Sequence, residues 1–118
     1  MWEQQLIHTE NGVFEVFSKG EGSPLCVTHL YSEYNANGSR FAEMFVPFYK
    51  VYLVNLRGCG KSTDDLTVFN YSMQDSVEDL EAIRKTLGHE TWGFAGHSTG
   101  GMLALQYAIL HPLSVEFI

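Results

Sequence analysis

The stretch Thr91-Trp92-Gly93-Phe94-Ala95-Gly96-His97-Ser98-Thr99-Gly100-Gly101 decides how the rest of the chain is read. A short apolar run suited to a strand leads into Gly-x-Ser-x-Gly, and a long apolar helix pattern starts at once. Strand, tight turn and helix in that order, with serine at the apex, are the form of a nucleophile elbow. Glycine on both sides of the serine answers a steric demand, because backbones in so sharp a turn approach too closely for a Cβ. Thr99 opens the helix, so its backbone N–H lacks an intrahelical acceptor and can face a developing oxyanion. With Gly and Ser each near 7% of positions, the bare pattern arises by chance in roughly 4% of chains this long. The strand and helix on its flanks raise it above a glycine-rich turn.

Composition sets the outer limits. A chain of 118 residues, 45% hydrophobic and 14% aromatic, is expected to form one globular domain over residues 1–118. A net charge of −7 argues against nucleic acid or an anionic membrane as partner, but selects no substrate. The start, Met1-Trp2-Glu3-Gln4-Gln5, has neither the basic region nor the apolar core of a secretion signal. No apolar run reaches the length of a membrane span. Cys26 lies in an apolar run and Cys59 in a polar one, which does not suggest a disulfide framework. The expectation is a cytoplasmic protein with free thiols.

Along the chain, residues 3–8 and 13–18 read as strands joined through Glu10-Asn11-Gly12, where Asn-Gly signals a hairpin. Leu25 to Leu30 and Lys50 to Asn55 read as buried strands, with a short helical pattern from Arg40 to Phe48 between them. Ser72 caps a predicted helix whose apolar face carries Val77, Leu80, Ile83 and Leu87, and Gly88 ends it. After the elbow strand comes a helix from Thr99 to Leu110, stopped before Pro112, and Leu113 to Ile118 reads as one more strand. A hairpin followed by strand–helix alternation predicts an α/β fold, with a mostly parallel sheet, an N-terminal antiparallel hairpin and flanking helices. Chemistry in such sheets collects at the carboxyl ends of strands. That picks out the loops after Leu30 and Asn55, and the elbow.

These three loops carry a family resemblance. Gly96-His97-Ser98-Thr99-Gly100-Gly101 resembles the elbow of the α/β-hydrolases, in particular their proline-iminopeptidase-like and esterase-like branches. Asn55-Leu56-Arg57-Gly58-Cys59-Gly60-Lys61-Ser62 resembles the family's Asp-x-Arg-Gly-x-Gly-x-Ser loop, with Asn for the leading Asp. His29-Leu30-Tyr31 stands in the place of the His-Gly-x oxyanion loop, with Leu30 for Gly. The resemblance spans almost the whole chain and implies the N-terminal part of such a hydrolase. It implies Ser98 as nucleophile, the backbone N–H groups of Tyr31 and Thr99 as the oxyanion hole, and a carboxylic ester or amide as substrate. No cofactor is implied, and no pair of histidines has metal-ligand spacing.

The triad of this fold runs Ser, then Asp or Glu, then His along the chain. After Ser98 the candidates are His111 and Glu116, in the wrong order. His111 lies thirteen residues on, roughly 20 Å along a helix, whereas a base must come within about 3 Å. It reads instead as a cation near a helix C-terminus. His97 is expected to pack under the turn and His29 to bond nearby backbone, while His8 and His89 read as surface residues without partners. Arg57 is expected to organise its own loop, and Glu33, Asp64 and Asp65 to be solvated loop charges.

The chain therefore reads as a truncated or split hydrolase domain, inactive by itself. Its nearly all-apolar last helix and open sheet edge predict self-association, or recruitment of a complementary C-terminal segment. The competing reading is a non-catalytic scaffold or assembly module. A P-loop at Gly60-Lys61-Ser62 fits poorly, because the position of Asn55 should be Gly and Asp64-Asp65 would repel phosphate.

Overall fold

The computed structural model describes residues 2–28, 33–62, 73–96 and 99–117, with Thr99 described by its backbone alone. Strands β1 (Glu3–Thr9) and β2 (Gly12–Lys19) form the hairpin. Glu10 and Asn11 make its turn, and Gly12, at φ 139°, already pairs with Thr9. β3 (Pro24–Val27), β4 (Lys50–Val54) and β5 (Gly93–Ala95) complete a sheet in the order β1-β2-β4-β3-β5. The sheet is mixed: β2 meets β1 and β4 antiparallel, while β3 meets β4 and β5 parallel.

The apolar run Leu113 to Phe117 extends the sheet outward. Trp92 and Val115 form a parallel bridge, and N–H···O bonds run from Trp92 to Ser114, Glu116 to Trp92 and Phe94 to Phe117. Gly93 makes this possible, because the Phe117 ring lies where its Cβ would be, 2.3 Å away. The outer edge of β5 is thus covered by residues 114–117.

Helix α1 is Arg40–Glu43, capped by Ser39, whose side chain accepts from Ala42 N–H. It is shorter than the helical pattern from Arg40 to Phe48 predicts. Pro47 disfavours helical backbone at Val46 and has no N–H to donate, so the chain continues as tight turns through Phe48. Helix α2 (Met73–Leu87) ends as expected at Gly88, φ 85°, where Gly88 N–H bonds Lys85 O and His89 N–H bonds Arg84 O. Its expected cap, Ser72, lies outside the described residues.

Each sheet face carries its own core. Phe14, Val16, Cys26, Val54, Trp92 and Phe94 pack with Val77, Leu80 and Ile83 of α2, and with Leu103 and Tyr107 of α3 (Thr99–Leu110). Phe17, Leu25, Val27, Val51 and Leu53 pack on the other face with Trp2 and Ala42. Full burial of one such aliphatic side chain is worth about 1.5–3 kcal/mol.

A buried polar cluster ties α2 to α3 and to the sheet extension. Glu81 accepts from Arg84 (2.8 and 3.0 Å), Tyr107 Oη (2.8 Å) and Ser114 Oγ (2.8 Å). Arg84 also donates to the carbonyls of His89 and Glu90, and Trp92 Nε1 donates to Tyr107 Oη. Burial alone would raise the Glu81 pKa, but the bonds from Arg84, Tyr107 and Ser114 outweigh it and hold it at about 2.

Because the folded pKa lies below the ordinary value of 4.5, the stability from this carboxylate is complete above that value and is lost as pH falls towards about 2. Denaturant melts across this window should show the loss. Glu81→Gln, which strips Arg84 of its counter-charge, should cost about 3 kcal/mol at pH 7 and remove most of the dependence.

Candidate active site

Three loops meet at the carboxyl ends of β3, β4 and β5. The third is the elbow. Ser98 and His97 lie outside the described residues, but the backbone on either side fixes the turn. Gly96 ends the strand side and Thr99 begins α3. A Cβ on Gly96 would stand 2.5 Å from both the carbonyl carbon and oxygen of Gly100, and 2.9 Å from Gly101 N. Those atoms belong to helix backbone and cannot yield, which is the close approach expected of Gly96. The first N–H groups of α3, Thr99 among them, point out of the helix without intrahelical acceptors.

The loop after β4 is built around Asn55, which is fully buried. Its Oδ1 accepts from Tyr34 N–H at 2.6 Å, and its Nδ2 donates to Tyr34 O (3.0 Å) and to Glu15 Oε1 (2.9 Å). Its carbonyl accepts from Ser62 Oγ at 2.6 Å, which closes the loop on itself, and Ser62 Oγ in turn accepts from Glu15 N–H. Glu15, buried in β2, also accepts from Lys61 N–H and Gln4. Burial pushes the Glu15 pKa up, yet these donors, with the charge of Lys61, bring it below the usual carboxylate range. The amide at 55, where the resemblance leads one to expect Asp, now has a cause. A carboxylate there would face the Glu15 carboxylate and the Tyr34 carbonyl with no proton to offer either. Gly60, at φ +53°, is required by the same pair, since its Cβ would meet Glu15 Oε1 at 2.3 Å and Asn55 Nδ2 at 2.5 Å.

Sequence reasoning passed over Glu15. The available signal was a lone acid inside the apolar run Val13 to Phe17. Arg57 reaches further than its own loop: it bonds Asp79 of α2 (3.1 and 3.4 Å) and the carbonyl of Asn11 in the hairpin turn (2.9 Å). Glu33 is exposed as expected but accepts from Gly60 N–H at 2.6 Å, joining the first two loops. Tyr31, His29 and Leu30, like Asp64 and Asp65, lie outside the described residues.

His111 is paired far from the elbow, with Nε2 2.7 Å from Glu78 and Nδ1 3.5 Å from Glu81 on α2. His89 corrects an expectation. Rather than lacking a partner, its Nε2 lies 2.9 Å from Tyr52 Oη, and burial together with the Arg84 charge holds its pKa low. Gly60-Lys61-Ser62 forms a turn instead of opening a helix, and its hydroxyl is already bonded, which is not the arrangement of a phosphate-binding loop. Among the described residues, no three His, Cys, Asp or Glu side chains gather as metal ligands, and no helix is long and apolar enough to cross a membrane.

With this geometry in place, comparison with known proteins is decisive. The family described as the alpha/beta hydrolase fold matches residues 31–116. The chain belongs to that family. It is similar to an alpha/beta fold family hydrolase from Bacillus anthracis str. Sterne, at 57% identity and a TM-score of 0.94 over 98% of this chain and 41% of that one. It is also similar to the proline iminopeptidase of Xylella fastidiosa, at 41% identity over 64 residues, which is 54% of this chain and 20% of the relative. A fluoroacetate dehalogenase from Burkholderia sp is 27% identical over 117 residues, or 97% of this chain and 38% of that enzyme. The chain thus spans less than half the length of these relatives.

Gly96→Ala should lower stability by about 1–3 kcal/mol, or displace the start of α3, since neither backbone can give way. Thermal melts and the helical circular dichroism signal would check this, with Gly88→Ala, whose Cβ would meet nothing within 4 Å, as a control for backbone strain alone.

Proposed function

We propose that this chain carries the nucleophile half of a serine hydrolase that cleaves a carboxylic ester or amide by acyl transfer. Ser98 attacks the carbonyl carbon, and the backbone N–H groups of Tyr31 and Thr99 hold the oxyanion. The observation that carries the reading is the contact of Gly96 with Gly100, which leaves Ser98 at the middle of a strand-to-helix turn. The substrate is a small molecule. The proline iminopeptidase among the relatives favours an amide, and the esterase-like form of the motifs favours an ester.

In this reading the base and acid come from outside these 118 residues. His111 is engaged with Glu78 at the far end of α3, so Ser98 has no base to take its proton. The same point favours the second reading, a scaffold that keeps the hydrolase fold without its chemistry. α3 supports completion by further structure. Met102, Leu105 and Ile109 are 60, 57 and 73% exposed on its outer face, Leu113 beyond it is 90% exposed, and α3 carries no charged side chain. A complementary C-terminal hydrolase segment, or a second copy, covers this face and the edge made by residues 114–117.

A fluorophosphonate probe tests the chemistry. Loss of the general base should slow Ser98 labelling about 10²–10⁴-fold, so the isolated chain stays unlabelled and turns over no p-nitrophenyl ester in a Ser98-dependent way. Fusion to the remainder of the Bacillus anthracis hydrolase should restore labelling, and Ser98→Ala should abolish it. A fused chain that stays unlabelled favours the scaffold.

Light scattering tests the surface. The isolated chain should gain mass with concentration, and Leu105→Glu with Ile109→Glu should hold it at the monomer. A wild-type chain that remains monomeric at high concentration would count against an uncovered face.

A further inference from the structure

The loop leaving β3 is gripped at both ends by β4 and the loop that follows it. On the near side, Thr28 Oγ1 donates to Val54 O at 2.8 Å. On the far side, Asn55 takes both backbone groups of Tyr34, accepting its N–H at 2.6 Å and donating to its carbonyl at 3.0 Å. Glu33 adds the bond from Gly60 N–H. Tyr31 is three residues from each grip, so a change at Tyr34 is transmitted through two intervening residues.

We infer that Asn55, held by Glu15, is a positioning residue for acyl transfer: its grip on Tyr34 sets where the β3 loop presents its backbone donors. The inference rests on the reading above in one respect, that Tyr31 N–H is one of those donors. Three features separate this from simple filling of space. The amide is oriented by a carboxylate that itself has further donors, Lys61 N–H and Gln4. Both of its polar atoms are spent on the backbone of a single residue, Tyr34, in a neighbouring loop. The Tyr34 ring packs into the second core, so the gripped residue is fixed on its apolar side as well. Misplacing an oxyanion donor by about 1 Å can cost 10²-fold in rate, which gives the grip a catalytic purpose.

The test follows backbone amides in the isotope-labelled 118-residue chain by NMR. Asn55→Ala should speed exchange of the Tyr34 amide about tenfold and shift the Tyr31 resonance, while Phe14 and Val16 in β2 stay as they were. Asn55→Asp keeps the shape and should weaken the grip at neutral pH. Its protection at Tyr34, measured relative to Phe14 and Val16, should return on acidification as the new carboxyl regains a proton to donate. A residue that only fills space gives no such pH profile, and this variant decides the matter if Asn55→Ala does not fold. Tyr31 unmoved in both variants, or an Asn55→Asp effect independent of pH, would overturn the inference. In the fused chain, Asn55→Ala should slow Ser98 labelling about 10²-fold. A fused chain that stays unlabelled while Asn55→Ala still moves Tyr31 supports the grip on the loop and overturns the hydrolase reading alone.

Discussion

The contact between Gly96 and the backbone of Gly100 is the constraint on which the arrangement depends. It lets the chain leave the sheet and enter α3 within a few residues, without room for a single Cβ at Gly96. Because the turn is so short, the direction of α3 is set by the strand before it. That direction lays Leu103 and Tyr107 against the sheet face that α2 also covers. The helix N-terminus is thereby brought to the carboxyl end of β5, where its unbonded N–H groups face the other two loops. Geometry imposed by sterics thus becomes electrostatics suited to a developing negative charge.

Two buried carboxylates then do separate jobs at separate places. Glu15 lies beside the loops and organises Asn55, Lys61 and, through them, Tyr34 and Ser62. Glu81 locks α2, α3 and the segment around Ser114 into one unit. Both are acids whose burial is offset by several donors, so their charge persists where an unpaired carboxylate would take up a proton. One fixes the chemistry-bearing loops and the other fixes the scaffold behind them.

What the sequence made legible follows from local rules. The Asn-Gly hairpin, the apolar runs of β3 and β4, the face of α2, its end at Gly88 and the strand–turn–helix of the elbow all depend on near neighbours. Pro47 was visible but underweighted, and it cut α1 to Arg40–Glu43. The rest was hidden because it depends on residues far apart in the chain. Nothing near His89 announces Tyr52, nothing near Arg57 announces Asp79 or Asn11, and nothing near Asn55 announces Glu15, forty positions away. The departure from Asp to Asn at 55 could be seen in the sequence. Its cause could not, because that cause lies in a strand from the opposite end of the hairpin-to-loop path.

The Phe117 ring over Gly93 has a consequence for how the sheet would grow. An aromatic disc, held between a bare strand position and Tyr49, seats the terminal ribbon flat enough for its backbone bonds to form in register. The side of that ribbon facing away from β5 then offers a ready row of donors and acceptors at the spacing a newcomer needs. Whichever polypeptide arrives there meets a template already ordered by one ring, and begins its pairing without first having to organise the border it joins.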